Sequence, residues 1–183
     1  MSTNIVILTG SPRKGGTSDK LAAAFKEGAE ASGKKVTLFR AADMKINPCL
    51  GCNCCKRPGG SCVHADDMDW IISAMKKADA IVFASPIYWF TVSAQLKLAI
   101  DRTHAESTEN LAIKRAVLLT TCADEASVEA EKGAIIMYQK MLAYRKWEDA
   151  GIITVAGLSD VDDISIIDGR QELDQARELG KNI

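Results

Sequence analysis

"NIVILTGSPRKGGTS", residues 4–18, runs a short apolar stretch into a polar, glycine-rich loop. Asn4–Thr9 is apolar without alternation and rich in β-branched side chains, the pattern of a strand buried on both faces. Gly10 ends it. Beyond the loop, Leu21, Ala24, Phe25, Gly28 and Ala29 recur at helical spacing, and Gly33 is a natural stop.

The same alternation continues. Residues 35–39 read as a second strand. Asp66 or Asp67 can cap a helix whose inner face is Met68, Ile71, Ile72 and Met75. Residues 80–84, AIVFA, form the clearest strand of all. Residues 92–105 read as a helix with Val92, Leu96, Ala99 and Ile100 inward. A fourth strand fits 115–120, a long helix 127–149, a fifth strand 152–156, and a last helix 170–180 with Leu173, Ala176 and Leu179. Continuous apolar strands alternating with amphipathic helices predict a parallel sheet covered on both sides, an α/β/α sandwich. Five strands suit a flavodoxin-like, doubly wound sheet of order 2-1-3-4-5. We expect one domain over 1–183, with a cysteine-rich loop at 48–63. Ligands of such sheets bind at the carboxyl ends of the strands, here on the loops after strands 1, 3 and 4.

With 23 basic and 24 acidic residues in 183, bulk charge offers no route to nucleic acid or membrane. No apolar run nears the roughly 20 residues that span a bilayer, and the amino terminus lacks a signal-peptide pattern. A cytoplasmic location is expected, where crowded cysteines point to metal or redox work before structural disulfides.

The loop after strand 1 has neither Walker spacing nor G-x-G-x-x-G. It does carry what a monophosphate needs. Ser11, Thr17 and Ser18 offer hydroxyls and Arg13 a bidentate charge. Gly15 and Gly16 let backbone N–H groups turn inward, and the next helix aims its amino terminus at the same space. The plainer alternative is a solvated turn with ordinary capping residues. The loop after strand 3 holds Pro86, Ile87, Tyr88, Trp89 and Phe90, an apolar surface suited to a planar ring system. Here the alternative is packing under a neighbouring loop or in a dimer interface. Phosphate at one loop and a flat ring at the other describe a mononucleotide, with FMN the leading candidate in this sheet order.

The segments "GSPRKGGTS" (10–18), "PCLGCNCCKRPGGSC" (48–62), "DDM" (66–68) and "ADAIVFASPIYWFTVSAQLKLAIDR" (78–102) resemble the flavodoxin-like NAD(P)H-dependent FMN reductases, and within them the iron–sulfur flavoproteins. The resemblance spans roughly residues 4–103. It implies FMN with its phosphate at Ser11, Arg13, Gly16, Thr17 and Ser18. The ring would lie against Pro86, Ile87, Tyr88, Trp89 and Phe90, with Thr121, Cys122 and Ala123 closing the other side. Gly16 stands where relatives often have Asn, which removes one side-chain contact to phosphate. A homodimer or homotetramer is implied as well. So is electron transfer from NAD(P)H or a reduced ferredoxin to a quinone, flavin or other small acceptor. The flavin does that chemistry, so no catalytic side chain is assigned. The alternative function is an electron carrier without a small substrate of its own, and a third is a flavin-free binding domain. Carriers that dock by charge are strongly acidic, unlike this chain.

The cysteine loop is read separately. Cys49, Cys52, Cys55 and Cys62 fall at C-x2-C-x2-C-x6-C, close to the ferredoxin pattern and to the cluster motif of the iron–sulfur flavoproteins. A [4Fe–4S] cluster there would gate one-electron partners. Unligated or redox thiols, with Cys52 and Cys55 as the dithiol, are the main alternative. Zinc and a structural disulfide stay open behind them. Cys54 is expected to ligate nothing. His64 is a spare ligand at most, and His104 is expected at the surface or an interface.

Overall fold

The computed structural model describes residues 3–159 and 163–183. Among the described residues the strands and α-helices follow one another as β1 (Asn4–Thr9), α1 (Thr17–Ala31), β2 (Lys35–Arg40), α2 (Met68–Met75), β3 (Ala80–Tyr88), β4 (Thr91–Val92), α3 (Ala94–Arg102), β5 (Arg115–Thr121), α4 (Lys132–Arg145), β6 (Glu148–Val155) and α5 (Gln171–Asn182). The parallel order is β2-β1-β3-β5-β6, with β4 added antiparallel to β3. This is the expected doubly wound, flavodoxin-like sheet plus one two-residue strand.

Alternation along each strand explains why both faces are apolar. Val6, Leu8, Ile81, Phe83, Ala116 and Leu118 point to one side, where α2, α3 and α4 bring Met68, Ile71, Leu96, Ala99 and Tyr138. Ile5, Ile7, Val82, Ala84, Val117 and Leu119 point to the other, against Leu21 and Phe25 of α1 and Ala176 of α5. A one-residue slip would exchange the two faces, so register is tightly held. Helices α1 and α5 approach until a Cβ on Gly28 would collide with the Arg177 backbone, and one on Gly180 with the Phe25 carbonyl. Gly28, read from spacing as one more core position, is there because nothing larger fits.

Several boundaries differ from expectation. The helix expected at 127–149 is only Lys132–Arg145. Glu129 (φ 54°) separates it from a short 3-10 turn at Ala126–Val128. Lys146 (φ 56°) then ends it, and Trp147 N–H closes on the Leu142 carbonyl at 3.1 Å. Strand β6 therefore starts at Glu148, four residues before the expected 152, and bulges where Ala116 faces Asp149 but Val117 faces Gly151. The helix expected at 92–105 starts after Ser93, whose Oγ accepts from Leu96 N–H at 3.3 Å, and runs as α-helix only to Arg102. Val92, expected on that helix, is strand. Finally, residues 85–88, read as loop, prolong β3 and fold back on β4, pairing Ile87 with Val92 and Tyr88 with Thr91.

The two residues between those pairs are Trp89 (φ 50°) and Phe90 (φ 67°). Two-residue hairpins favour turns with positive φ at both central positions, normally filled by Asn and Gly. Here two aromatic residues occupy them. No described helix is long and apolar enough to cross a membrane.

Candidate functional site

Segments at the carboxyl ends of β1, β3 and β5 meet around one cavity. It is lined by Ser11, Arg13, Gly16, Thr17 and Ser18, by Pro86, Ile87 and Tyr88, and by Thr121, Cys122 and Ala123. All eleven are residues expected to hold the mononucleotide. Trp89 and Phe90 are not among the lining residues. They cap the hairpin outside it, 91% and 55% exposed. Sequence alone placed all three aromatics on one surface, because it could not show that the chain reverses between Tyr88 and Thr91.

The loop after β1 is folded by its own polar groups. Gly10 N–H donates to the Ala84 carbonyl at 2.9 Å, and its carbonyl accepts from Ser93 Oγ at 2.7 Å. A Cβ on Gly10 would strike Ser93 Oγ and sit 2.6 Å from Leu96 Cβ, so the residue is glycine for closeness. Ser11 Oγ accepts from Arg13 N–H (3.1 Å) and donates to the Arg13 carbonyl (3.0 Å), making a tight local turn. Gly15 (φ 69°) then swings the chain into α1. Thr17 Oγ1 reaches Thr121 Oγ1 at 3.3 Å and ties the first loop to the third. Ser18 Oγ is buried in the wall without a hydrogen-bond partner among the described residues. An orphaned hydroxyl beside a helix amino terminus fits an anionic ligand oxygen.

Opposite, Ser85 Oγ accepts from Ser93 N–H at 2.9 Å and donates to the Pro86 carbonyl at 2.7 Å, which pins the apolar shelf to the start of α3. Cys122 is buried, its thiol 3.7 Å from the Asp124 carbonyl. Burial first, then the charges of Glu131 and Asp124, push its pKa up to about 11. The thiol is therefore neutral at physiological pH.

Leu158, Asp163 and Ile164 also line the cavity, and sequence reasoning missed them. They follow β6, and the rule that sends ligands to strand carboxyl ends covers that loop too. Backbone bonds from Leu158 N–H to the Cys122 carbonyl (3.1 Å) and from Gly157 N–H to the Asp124 carbonyl (2.8 Å) fasten it to the third loop. The Ser165 hydroxyl and N–H hold the Asp163 pKa below its usual value.

The cysteine loop lies apart. Cys49 and Cys52 are exposed, while Cys54, Cys55 and Cys62 are half-buried, all as free thiols. Among the described residues, no three or more His, Cys, Asp or Glu are grouped to hold a metal ion. The expected set Cys49, Cys52, Cys55 and Cys62 thus does not converge. The reason is local geometry. Asn53 (φ 56°) and Gly51 (φ 63°) turn the backbone, and the thiol that meets Cys52 is that of Cys54. The backbone N–H of Cys54, then its thiol, lower the Cys52 pKa, and the same thiol–thiol bond raises that of Cys54. Cys54, expected to ligate nothing, is the hydrogen-bond partner of Cys52, and Cys55 and Cys62 are near enough to act on its charge. His64 lies 3.0 Å from the Pro48 carbonyl, while His104 is exposed as expected. In this arrangement the loop presents free thiols rather than a formed metal centre.

Residues 3–146 match the family model described as NADPH-dependent FMN reductase. The chain is 39% identical over 99 residues to an iron–sulfur flavoprotein of Methanocaldococcus jannaschii, covering 54% of this chain and 51% of that one. It is 36% identical over 110 residues to an iron–sulfur flavoprotein of Methanosarcina thermophila, covering 60% and 57%. The chain spans about half the length of the curated relatives it matches. An NAD(P)H:quinone oxidoreductase from Methanothermobacter marburgensis superposes with a TM-score of 0.76 at 19% identity, covering 100% of this chain and 96% of that one. At that identity the likeness is one of fold.

Proposed function

The chain belongs to the NADPH-dependent FMN reductase family, and from that premise we propose that residues 1–183 act as one cytoplasmic flavoprotein unit. It carries FMN in the cavity above β1, β3 and β5. It moves electrons from NAD(P)H or a reduced ferredoxin to a quinone, a free flavin or another small acceptor. One observation carries this reading. Eleven residues from three distant segments, chosen for a phosphate and a flat ring, line one cavity with the polar set from the first loop and the apolar shelf from the second.

Bound FMN supplies the chemistry, accepting a hydride and releasing electrons in one or two steps. The protein's own groups position it. Arg13, the Ser11, Thr17 and Ser18 hydroxyls and the amino terminus of α1 take the phosphate charge. Pro86, Ile87 and Tyr88 support one side of the ring, and Thr121, Cys122 and Ala123 close the other, excluding water. Cys122 stays protonated and offers no competing nucleophile.

The test is anaerobic steady-state kinetics on FMN-loaded protein. NADPH oxidation coupled to a quinone or free flavin is expected. No turnover with either nicotinamide, together with rapid reduction by ferredoxin, would replace the enzyme with the electron carrier.

A further inference from the structure

Behind the phosphate loop, on the side away from the cavity, Asp19 of α1 pairs with Arg40 at the end of β2. Both side chains are largely buried. The pair holds the loop at two points. Arg40 Nη2 donates to the Ser11 carbonyl at 3.2 Å, and Asp19 Oδ2 accepts from Gly15 N–H at 3.0 Å. Ser11 and Gly15 bracket the turn that carries Arg13. Arg40 is delivered there by sheet register, opposite Thr9, the last residue of β1. Its Nε donates outward to Asp43 Oδ2 at 3.0 Å, which fixes the fork.

Among the described residues, the second carboxylate oxygen of Asp19 is buried and lacks a hydrogen bond of good geometry, as does the Thr9 hydroxyl beside it. Burial raises the Asp19 pKa more than Arg40 lowers it. A carboxylate kept in such a place is a weak device for stability. The pair is well placed for orientation, because the backbone contact of each partner, Asp19 with Gly15 and Arg40 with Ser11, falls on the loop.

We propose that the Asp19–Arg40 pair is a brace that preorganises the loop 11–16 for the 5′-phosphate of the flavin and so makes the protein select FMN over riboflavin. The proposal rests on the flavin reading above. Neither residue lines the cavity, so both are positioning residues. Their removal loosens the phosphate cradle and leaves the ring shelf, 86–88, as it was. Supporting groups of this kind set how closely a site matches its ligand.

The experiment titrates FMN and riboflavin in parallel into the flavin-free full chain, by quenching of flavin fluorescence. The proteins are wild type, Asp19→Asn, Arg40→Met and Glu30→Gln. Wild type should prefer FMN. Asp19→Asn and Arg40→Met should each lose about tenfold in FMN affinity, the size of one or two hydrogen bonds, while riboflavin affinity stays constant. The double variant should lose no more than the worse single. Glu30→Gln, in the last turn of α1 where it pairs with Lys26, should change neither ligand. Arg40→Lys keeps the charge but loses the fork, and it carries the same expectation should Arg40→Met fail to fold. Equal weakening of both ligands, or of neither, in folded variants would overturn the brace. A wild type that binds no FMN would overturn the flavin reading itself.

Discussion

Arg102 closes a two-pronged pair on Asp66, Nη1 to Oδ2 at 2.7 Å and Nη2 to Oδ1 at 3.0 Å, with both side chains at most 2% exposed. Arg102 Nη1 also donates to the Asn47 carbonyl at 2.9 Å, and Asp66 accepts from Asn47 N–H (2.9 Å) and Nδ2 (3.0 Å). Asn47 and Asp66 stand at the two ends of the cysteine loop. One buried pair therefore pins both ends of that loop to the last turn of α3.

Asp66→Asn should cost about 3–5 kcal/mol, because it strands a buried guanidinium. The pH dependence follows from the direction of the shift. The hydrogen bonds donated by Arg102 and Asn47 outweigh burial and hold the Asp66 pKa far below its ordinary value near 4. Its stabilisation is complete above that ordinary value and is lost as pH falls toward the native one. Urea midpoints should separate wild type and variant widely at pH 7 and less below about pH 3. Equal midpoints at pH 7 would remove the pair from any structural role.

Cys122 should resist alkylation. With its pKa near 11 and its side chain buried, iodoacetamide at pH 8 should label the loop cysteines first, as followed by peptide mass spectrometry. Labelling of Cys122 should accelerate toward pH 11. Early labelling at pH 8 would show an open thiolate in the cavity wall.

Cys54→Ala should slow alkylation of Cys52. The variant keeps the backbone N–H that lowers the Cys52 pKa most and removes the thiol donor that adds to it. The reactivity profile of Cys52 should shift to higher pH. An unchanged profile would mean that the backbone bond acts alone.

Gly28→Ala should destabilise by about 1–3 kcal/mol. The added methyl meets backbone of α5, which cannot swing aside as a side chain can. Ala is otherwise the better helix former by about 1 kcal/mol, so a stabilised variant would show that α1 and α5 separate easily.

Replacing Trp89-Phe90 by Asn-Gly should stabilise the chain by about 1–2 kcal/mol, since positive φ at both positions is costly for large side chains. Thermal melts read this directly. A lower melting temperature would mean that the exposed rings repay the strain through contacts of their own.

Strand order, helix faces and the three segments that line the cavity were legible in the chain, because burial on both sheet faces writes itself as unbroken apolar strands. The runs 4–9, 80–84 and 115–120 have no other economical reading. The residues of "GSPRKGGTS" carry their own turn chemistry, so their part in a cavity wall could be anticipated. What tertiary structure alone decided are matters of direction and distance. The reversal at Trp89 and Phe90 depends on positive φ at residues that rarely adopt it, and it carries two expected ring contacts out of the cavity. The cysteine spacing described a ligand set, but the backbone turns at Gly51 and Asn53 and the hydrogen bond of Cys54 to Cys52 are matters of tertiary geometry. Asp19 meets Arg40, and Asp66 meets Arg102, across 21 and 36 residues of chain. Spacing along a sequence records which side chains share a face of their own element; which of them meet across elements is settled only when the layers pack.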